Sequence, residues 1–306
     1  EKLSINDVSE PDISGGYMLK FDRLDDGDVG FHTSRGTPSC YSLCYVYPKE
    51  EDILSTPQET WIRNYLEEFE DALYGENFTD PDIGYAHYID VDSFVDHFWL
   101  NQLAKNPDAL HLSTYMFKKR GGKLEMGPIW DFDRCLGGHD LRYIEPCEWT
   151  NMEINYFEYD WWARFFADPD FWQKCIDRWY ELRHDQFSTA NISSIISNMA
   201  NELDESQARN FIRWSAYLPG FSPEWPGWDG EIDHMIQWLA DRTEWIDNQF
   251  LSVPTFNQEG GEIPAGFELT MEVPSSDGVN YLNFDGSGGY VNINTYKGIL
   301  STQART

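Results

Sequence analysis

Apolar residues change their spacing along this chain, and each spacing predicts a different element. Over the first 48 residues the pattern is β-rich: Gly15-Gly16 opens into Tyr17-Met18-Leu19-Lys20-Phe21, and Asp25-Asp26-Gly27-Asp28 turns into Val29-Gly30-Phe31-His32-Thr33. Both stretches read as hairpin strands of an antiparallel sheet. Thr56-Pro57-Gln58-Glu59 supplies an N-cap, a proline at the first helical position and a capping-box glutamate. Trp61, Ile62, Tyr65, Leu66, Phe69 and Leu73 then repeat at helical spacing, so a helix is expected to about Tyr74.

A second helix is expected from about Asp92, where Phe94, Val95, Phe98, Trp99 and Leu103 form one apolar stripe. It ends before Asn106-Pro107, because proline disfavours helix at the residue preceding it. Thr114 to Phe117 and Leu124 to Met126 flank Arg120-Gly121-Gly122, a hairpin turn, and the second strand runs into Pro128-Ile129-Trp130-Asp131-Phe132-Asp133. From Asp160 to Phe250 the apolar period is helical, and the aromatic residues at that period read as core rather than as a carbohydrate-stacking row. Beyond Val253-Pro254 the pattern changes again. Phe267 to Val273 alternates strictly and Asp285-Gly286 offers a turn, so residues 254–306 read as a small, incomplete β-rich module after a main domain of residues 1–253. The fold class is therefore α+β: a partial antiparallel sheet, a largely helical second half and a small C-terminal β segment.

Composition narrows the partners. Of 306 residues, 53 are acidic and 22 basic, a formal charge of -31 that repels nucleic acid phosphates and anionic membrane surfaces. Nucleic acid is therefore not expected as a partner. A solvated acidic surface accounts for the excess as well as cation binding does. No stretch approaches the ~18 consecutive apolar residues of a spanning helix, and Glu1-Lys2-Leu3-Ser4 does not read as a signal peptide. Cys40, Cys44, Cys135, Cys147 and Cys175 form no CxxC pair, which argues against zinc; buried free thiols are the simpler reading.

One acidic constellation has chemical content. Asp108 follows the second helix, Ser113 and Thr114 come five and six residues later, the Gly121-Gly122 turn follows, and Asp131-Phe132-Asp133 closes the set 23 residues after Asp108. Phosphoryl transfer needs a carboxylate for the incoming hydroxyl and others for magnesium, and protein kinases set these groups on either side of a hairpin. Loop aspartates also cap helices and close turns, so spacing alone leaves both readings open.

Longer stretches carry more. Tyr88 to Phe94, Asn101 to Asp108, Ser113 to Lys118 and Lys123 to Asp133 together resemble the CotH kinase family, as do Gly15 to Leu19, Asp168 to Phe171 and Arg178 to Arg183. The resemblance spans about residues 10 to 250. It implies an atypical protein-kinase-like fold, with the sheet as part of an N-lobe and the helices as a C-lobe. The implied activity is transfer of phosphate from ATP, with magnesium or manganese, to Ser or Thr of spore-coat or other exported proteins, and hence a secreted or surface location. Residue by residue, it implies Asp108 as the catalytic aspartate, Asp131 as a metal ligand assisted by Asp133, and Asn106 and Ser113 beside the nucleotide.

Two departures stand against that pattern. The resemblance expects further N-lobe strands, with any Gly-rich loop, ahead of Glu1. It also expects a lysine shortly before a Tyr-Pro pair, where Tyr45-Val46-Tyr47-Pro48 has none. Lys20 is a candidate substitute if strand alternation points it into the cleft, and Lys49, Lys118 and Arg134 are others. The rival to an active kinase is a catalytically silent kinase-like domain that binds partners or a surface. A third reading, polysaccharide attachment, rests on the Trp-rich helices and on a faint likeness of the tail to a β-sandwich appended to secreted glycosidases.

Overall fold

A computed structural model describes residues 2–35, 42–49, 56–138, 144–149, 155–215, 224 and 226–250, together with four two-residue strands beyond them. The chain divides into two units, Glu1–Leu239 and Ala240–Thr306. The architecture is α+β, consistent with a kinase-like fold.

In the first unit, strands β1 (Tyr17–Asp22), β2 (Gly30–Phe31), β3 (Ser42–Tyr47), β4 (Thr114–Lys118) and β5 (Leu124–Met126) form one sheet in the order β2-β3-β1-β4-β5. Every pair within it is antiparallel. The strands expected around the Asp25–Asp28 turn are present but do not pair with each other. β3 comes between them, since Leu43, Cys44 and Tyr45 are buried and suit an interior position.

Alternation sorts β1 into two faces. Tyr17, Leu19 and Phe21 are buried, whereas Met18, Lys20 and Asp22 are half-buried on the other side. Helix α1 (Thr56–Tyr74) presents Ile62, Leu66, Phe69 and Leu73 inward, all fully buried, with Pro57 in its first turn. Its Trp61 ring stacks between Tyr17 (5.8 Å) and Tyr65 (5.4 Å), fastening helix to sheet. Against this aromatic wall lies the Lys118 ammonium, which donates to the Ser14 carbonyl at 2.8 Å. Burial lowers its pKa to about 8. The β4–β5 turn passes close to Gly15: a Cβ there would meet the Arg120 backbone nitrogen at 2.0 Å, so only glycine fits.

Helix α2 (Val91–Ala104) positions the hairpin. Asp90 caps it by accepting from the Ser93 backbone N–H at 2.9 Å, and the Ser93 hydroxyl accepts in turn from the Met126 N–H of β5. Phe94, Phe98 and Trp99 meet Trp162, Phe165, Trp172 and Trp179 from helices α3 (Asp160–Phe165) and α4 (Pro169–His184). These tryptophans are buried and belong to the core, where each large ring contributes on the order of 2–3 kcal/mol. The Trp99 indole N–H finds the Cys175 carbonyl at 2.7 Å, which removes the cost of burying it.

Helix α5 (Thr189–Arg213) has no buried residue along its 25 positions. Helix α6 (Gly227–Asp247) closes the first unit and opens the second. In the second unit the described strands are β6 (Thr255–Phe256), β7 (Met271–Glu272), β8 (Leu282–Asn283) and β9 (Asn292–Ile293), paired antiparallel as β6 with β7 and β8 with β9. The alternation expected over Phe267 to Val273 is described only at Met271–Glu272, and the Asp285-Gly286 turn lies outside the described residues. Cys44, Cys135 and Cys175 are buried free thiols and Cys147 is an exposed one, while Cys40 lies outside the described residues. Among the described residues no helix is long and apolar enough to cross a membrane.

Candidate phosphoryl-transfer site

The loop from α2 to β4 is folded by its own hydrogen bonds. Lys105 ends α2 in left-handed backbone (φ 52°), turning the chain so that the Asn106 N–H meets the Asn101 carbonyl at 3.0 Å. From there three side chains act in series. The Asn101 amide donates to the His97 carbonyl (2.8 Å), the Asn106 amide donates to Asn101 Oδ1 (3.0 Å), and Asn106 Oδ1 accepts from the Asp108 N–H (3.0 Å). A carbonyl at one end and an N–H at the other fix the orientation of both amides. The Asp108 carbonyl then accepts from His111 and Leu112, and the Thr114 hydroxyl donates to Ala109 and Leu112.

Asp108 emerges from this loop 8% exposed, with Arg134 Nη1 at 3.7 Å from Oδ1. Burial pushes its carboxyl above the ordinary aspartate range. The positive charges of Arg134, His111 and Arg23 oppose that rise, and the Asp131 carboxylate adds to it.

On the far side of the hairpin Asp131 is exposed and takes left-handed backbone (φ 66°), as does Ser113 (φ 50°). The Ser113 hydroxyl donates to Asp131 Oδ2 at 3.0 Å. One hydrogen bond thus joins the two flanks of the β4–β5 hairpin. Asp133 is exposed and makes no hydrogen bond or ion pair among the described residues. The buried Cys135 thiol is raised to about 12 by burial and then by Asp108, Asp133 and Asp131, so the three carboxylates share one neighbourhood.

Of the other residues singled out from sequence, Asn106 commits its amide to the loop. Lys20 does lie on the face of β1 opposite Leu19 and Phe21, but its ammonium is held by Asp22 (3.0 Å) and Asp28 (3.7 Å). Burial lowers its pKa and these two carboxylates outweigh that effect, for a net rise. Lys49 also leans on Asp28, and Lys118 is sealed behind the sheet. Sequence reasoning overlooked Asn101 and Trp130. The first is a buried amide within an apolar helical stripe; the second is a tryptophan beside Asp131 that is 62% exposed.

A family model described as CotH kinase protein matches residues 4–246. The chain belongs to the CotH kinase family. No curated protein matches it. A kinase-like family brings with it ATP and a divalent ion in general terms, and a protein as the acceptor.

Among the described residues no three His, Cys, Asp or Glu side chains gather into a metal cage. Magnesium in phosphoryl-transfer sites takes one or two carboxylates and completes its shell with phosphate oxygens and water. Asp131 and Ser113 offer a carboxylate and a hydroxyl of that hard-oxygen kind, so they fit the ion as part of a nucleotide complex and not as a free-standing centre.

Proposed function

We propose that this CotH-family chain is a magnesium- or manganese-dependent protein kinase that transfers the γ-phosphoryl group of ATP to Ser or Thr of an exported protein. The observation that carries the reading is the 3.0 Å bond from Ser113 to Asp131, which joins two flanks whose other acidic member, Asp108, senses the Asp131 charge. Asp131 and Ser113 would hold the metal ion, with Asp133 two residues away. When bound, the ion neutralises charge on the transferring phosphoryl oxygens. Asp108 orients the incoming hydroxyl and accepts its proton, and a carboxyl raised above its usual range is the better base near neutral pH. Arg134, 3.7 Å away, favours the ionised form of that carboxyl against its burial. Trp130 offers an exposed ring beside the metal position on which a base can stack. A location outside the cytoplasm follows from the exported substrates that the resemblance implies.

Incubation with labelled ATP and magnesium or manganese, beside an Asp131→Ala control, tests the reading. Self-labelling that the substitution abolishes supports it; equal labelling of both proteins sinks the assigned site. A second reading, a silent kinase-like binding domain, draws on the ion pairs that hold Lys20 and on the missing lysine before Tyr47-Pro48. Nucleotide binding without transfer would favour it.

A further inference from the structure

A kinase-like site needs a cation for the phosphates, and the basic residues expected to serve are occupied. Lys20 is shared by Asp22 and Asp28, Lys49 leans on Asp28, Lys118 is buried against Trp61 and Tyr65, and Arg134 faces Asp108. Around the rest of the hairpin, Lys119 is paired with Glu125 and Arg120 with Asp7 and Asp12. Arg23 differs. It is exposed, and among the described residues its guanidinium makes no hydrogen bond or ion pair; its backbone N–H donates to Asp22 and its carbonyl accepts from the Cys44 thiol.

Its place in the sheet is the second observation. β1 and β4 run antiparallel with Phe21 opposite Thr114, so the chain leaving β1 at Arg23 passes the point where the Asp108 loop and Ser113 enter β4. Asp108 registers the Arg23 charge, as it does those of Arg134 and His111. A long side chain with no carboxylate ion pair therefore stands beside the loop of Asp108 and the Ser113–Asp131 bond. A triphosphate keeps net negative charge even with one divalent ion bound, and a guanidinium is the side chain whose fork fits two phosphate oxygens at once.

We propose that Arg23 is the phosphate-pairing residue of this chain, taking the role left vacant before Tyr47-Pro48. The inference rests on the nucleotide-dependent reading above. Arg23 binds the β- or γ-phosphate oxygens of a nucleoside triphosphate and makes no contact with the nucleoside.

The test is direct binding, by titration calorimetry with magnesium, of ATP, ADP and adenosine to the wild-type chain and to Arg23→Ala, Arg23→Lys and Lys20→Ala. Expected is a loss of about tenfold or more in ATP affinity for Arg23→Ala with adenosine affinity unchanged, corresponding to at least ~1.4 kcal/mol. Arg23→Lys, which keeps the charge without the fork, recovers part of that loss. Lys20→Ala retains the wild-type ratio of ATP to adenosine affinity. Because Arg23 is exposed, thermal melting of Arg23→Ala should match wild type and exclude misfolding as the cause. An unchanged ratio in Arg23→Ala, or a collapse of the ratio in Lys20→Ala instead, overturns the assignment while leaving the kinase reading in place. A wild-type chain that binds no nucleotide overturns both.

Discussion

The two acidic flanks of the β4–β5 hairpin are built in opposite ways. Asp108 is buried, and its loop is tied back to α2 through Asn106 and Asn101. Asp131 is exposed, sits in left-handed backbone and receives one side-chain hydrogen bond among the described residues, from Ser113. A proton acceptor has to meet a hydroxyl at a fixed distance and angle, and a misplacement of about 1 Å can cost ~10²-fold in rate. A metal ligand has to admit an ion and exchange water for phosphate oxygens, which an open loop allows. On the proposed roles, rigidity sits where direction matters, and access where ligands come and go.

That contrast breaks most sharply at Asp131. Asp131→Ala should lower phosphotransfer by about 10⁴-fold, since the loss of metal-centred charge neutralisation is worth several kcal/mol. Its unfolding free energy should stay within ~0.5 kcal/mol of wild type, as expected of an exposed side chain. A large drop in melting temperature would show that the loop is structural after all.

Asp108→Asn should cost about 10³-fold in turnover, within the usual range for a general base. Its stability should move the other way. A carboxyl whose folded pKa is raised contributes stability below its unfolded value, near pH 4, and loses that contribution as pH rises through the folded value. Asp108→Asn should thus melt higher than wild type at pH 7, with the gain vanishing below about pH 4. Melting curves at several pH values decide this, and a lower melting temperature at pH 7 would contradict the burial argument.

Asn101→Ala sharpens the comparison from behind the rigid flank. It strands the Asn106 amide, costing about 1–3 kcal/mol of stability. Turnover should fall 10- to 100-fold with the ATP KM unchanged, because the base drifts while the phosphate contacts stay. A rise in KM alone would mean that Asn101 supports nucleotide binding instead. The smallest effect is expected from Ser113→Asn: asparagine tolerates left-handed backbone better than serine, so stability should rise by about 0.5 kcal/mol in chemical denaturation.

Much of this was legible from residue patterns, and the limits have physical causes. The stripe from Phe94 to Leu103 and the proline at 107 fixed α2 closely, and the Gly121-Gly122 turn fixed the hairpin, because both are local signals. The aromatic period after Asp160 was correctly read as core. Strand order was not readable. β1 pairs with β4 almost a hundred residues away, and nothing local says that β3 lies between β1 and β2. The spacing of Asp108 and Asp131 was visible, yet the bond between their flanks depends on the left-handed turns at Ser113 and Asp131, which neither residue type announces. Lys20 lies on the less buried face of β1, but its partners Asp22 and Asp28 come together around it only once the chain turns back at Asp25–Asp28. Arg23 went unnoticed for the matching reason, since freedom from a partner is a property of the fold.

Helix α5 carries a different kind of consequence. Twenty-five residues at 1.5 Å each make a rod about 37 Å long whose side chains are nowhere fully enclosed, with Ile195, Met199 and Leu203 each roughly half in solvent. Folding constrains such a segment weakly, and substitutions along it alter the outward character of the molecule without touching the loops that carry Asp108 and Asp131. Diversity within a lineage of such chains would collect there first, as on a signboard repainted while the building stays unchanged.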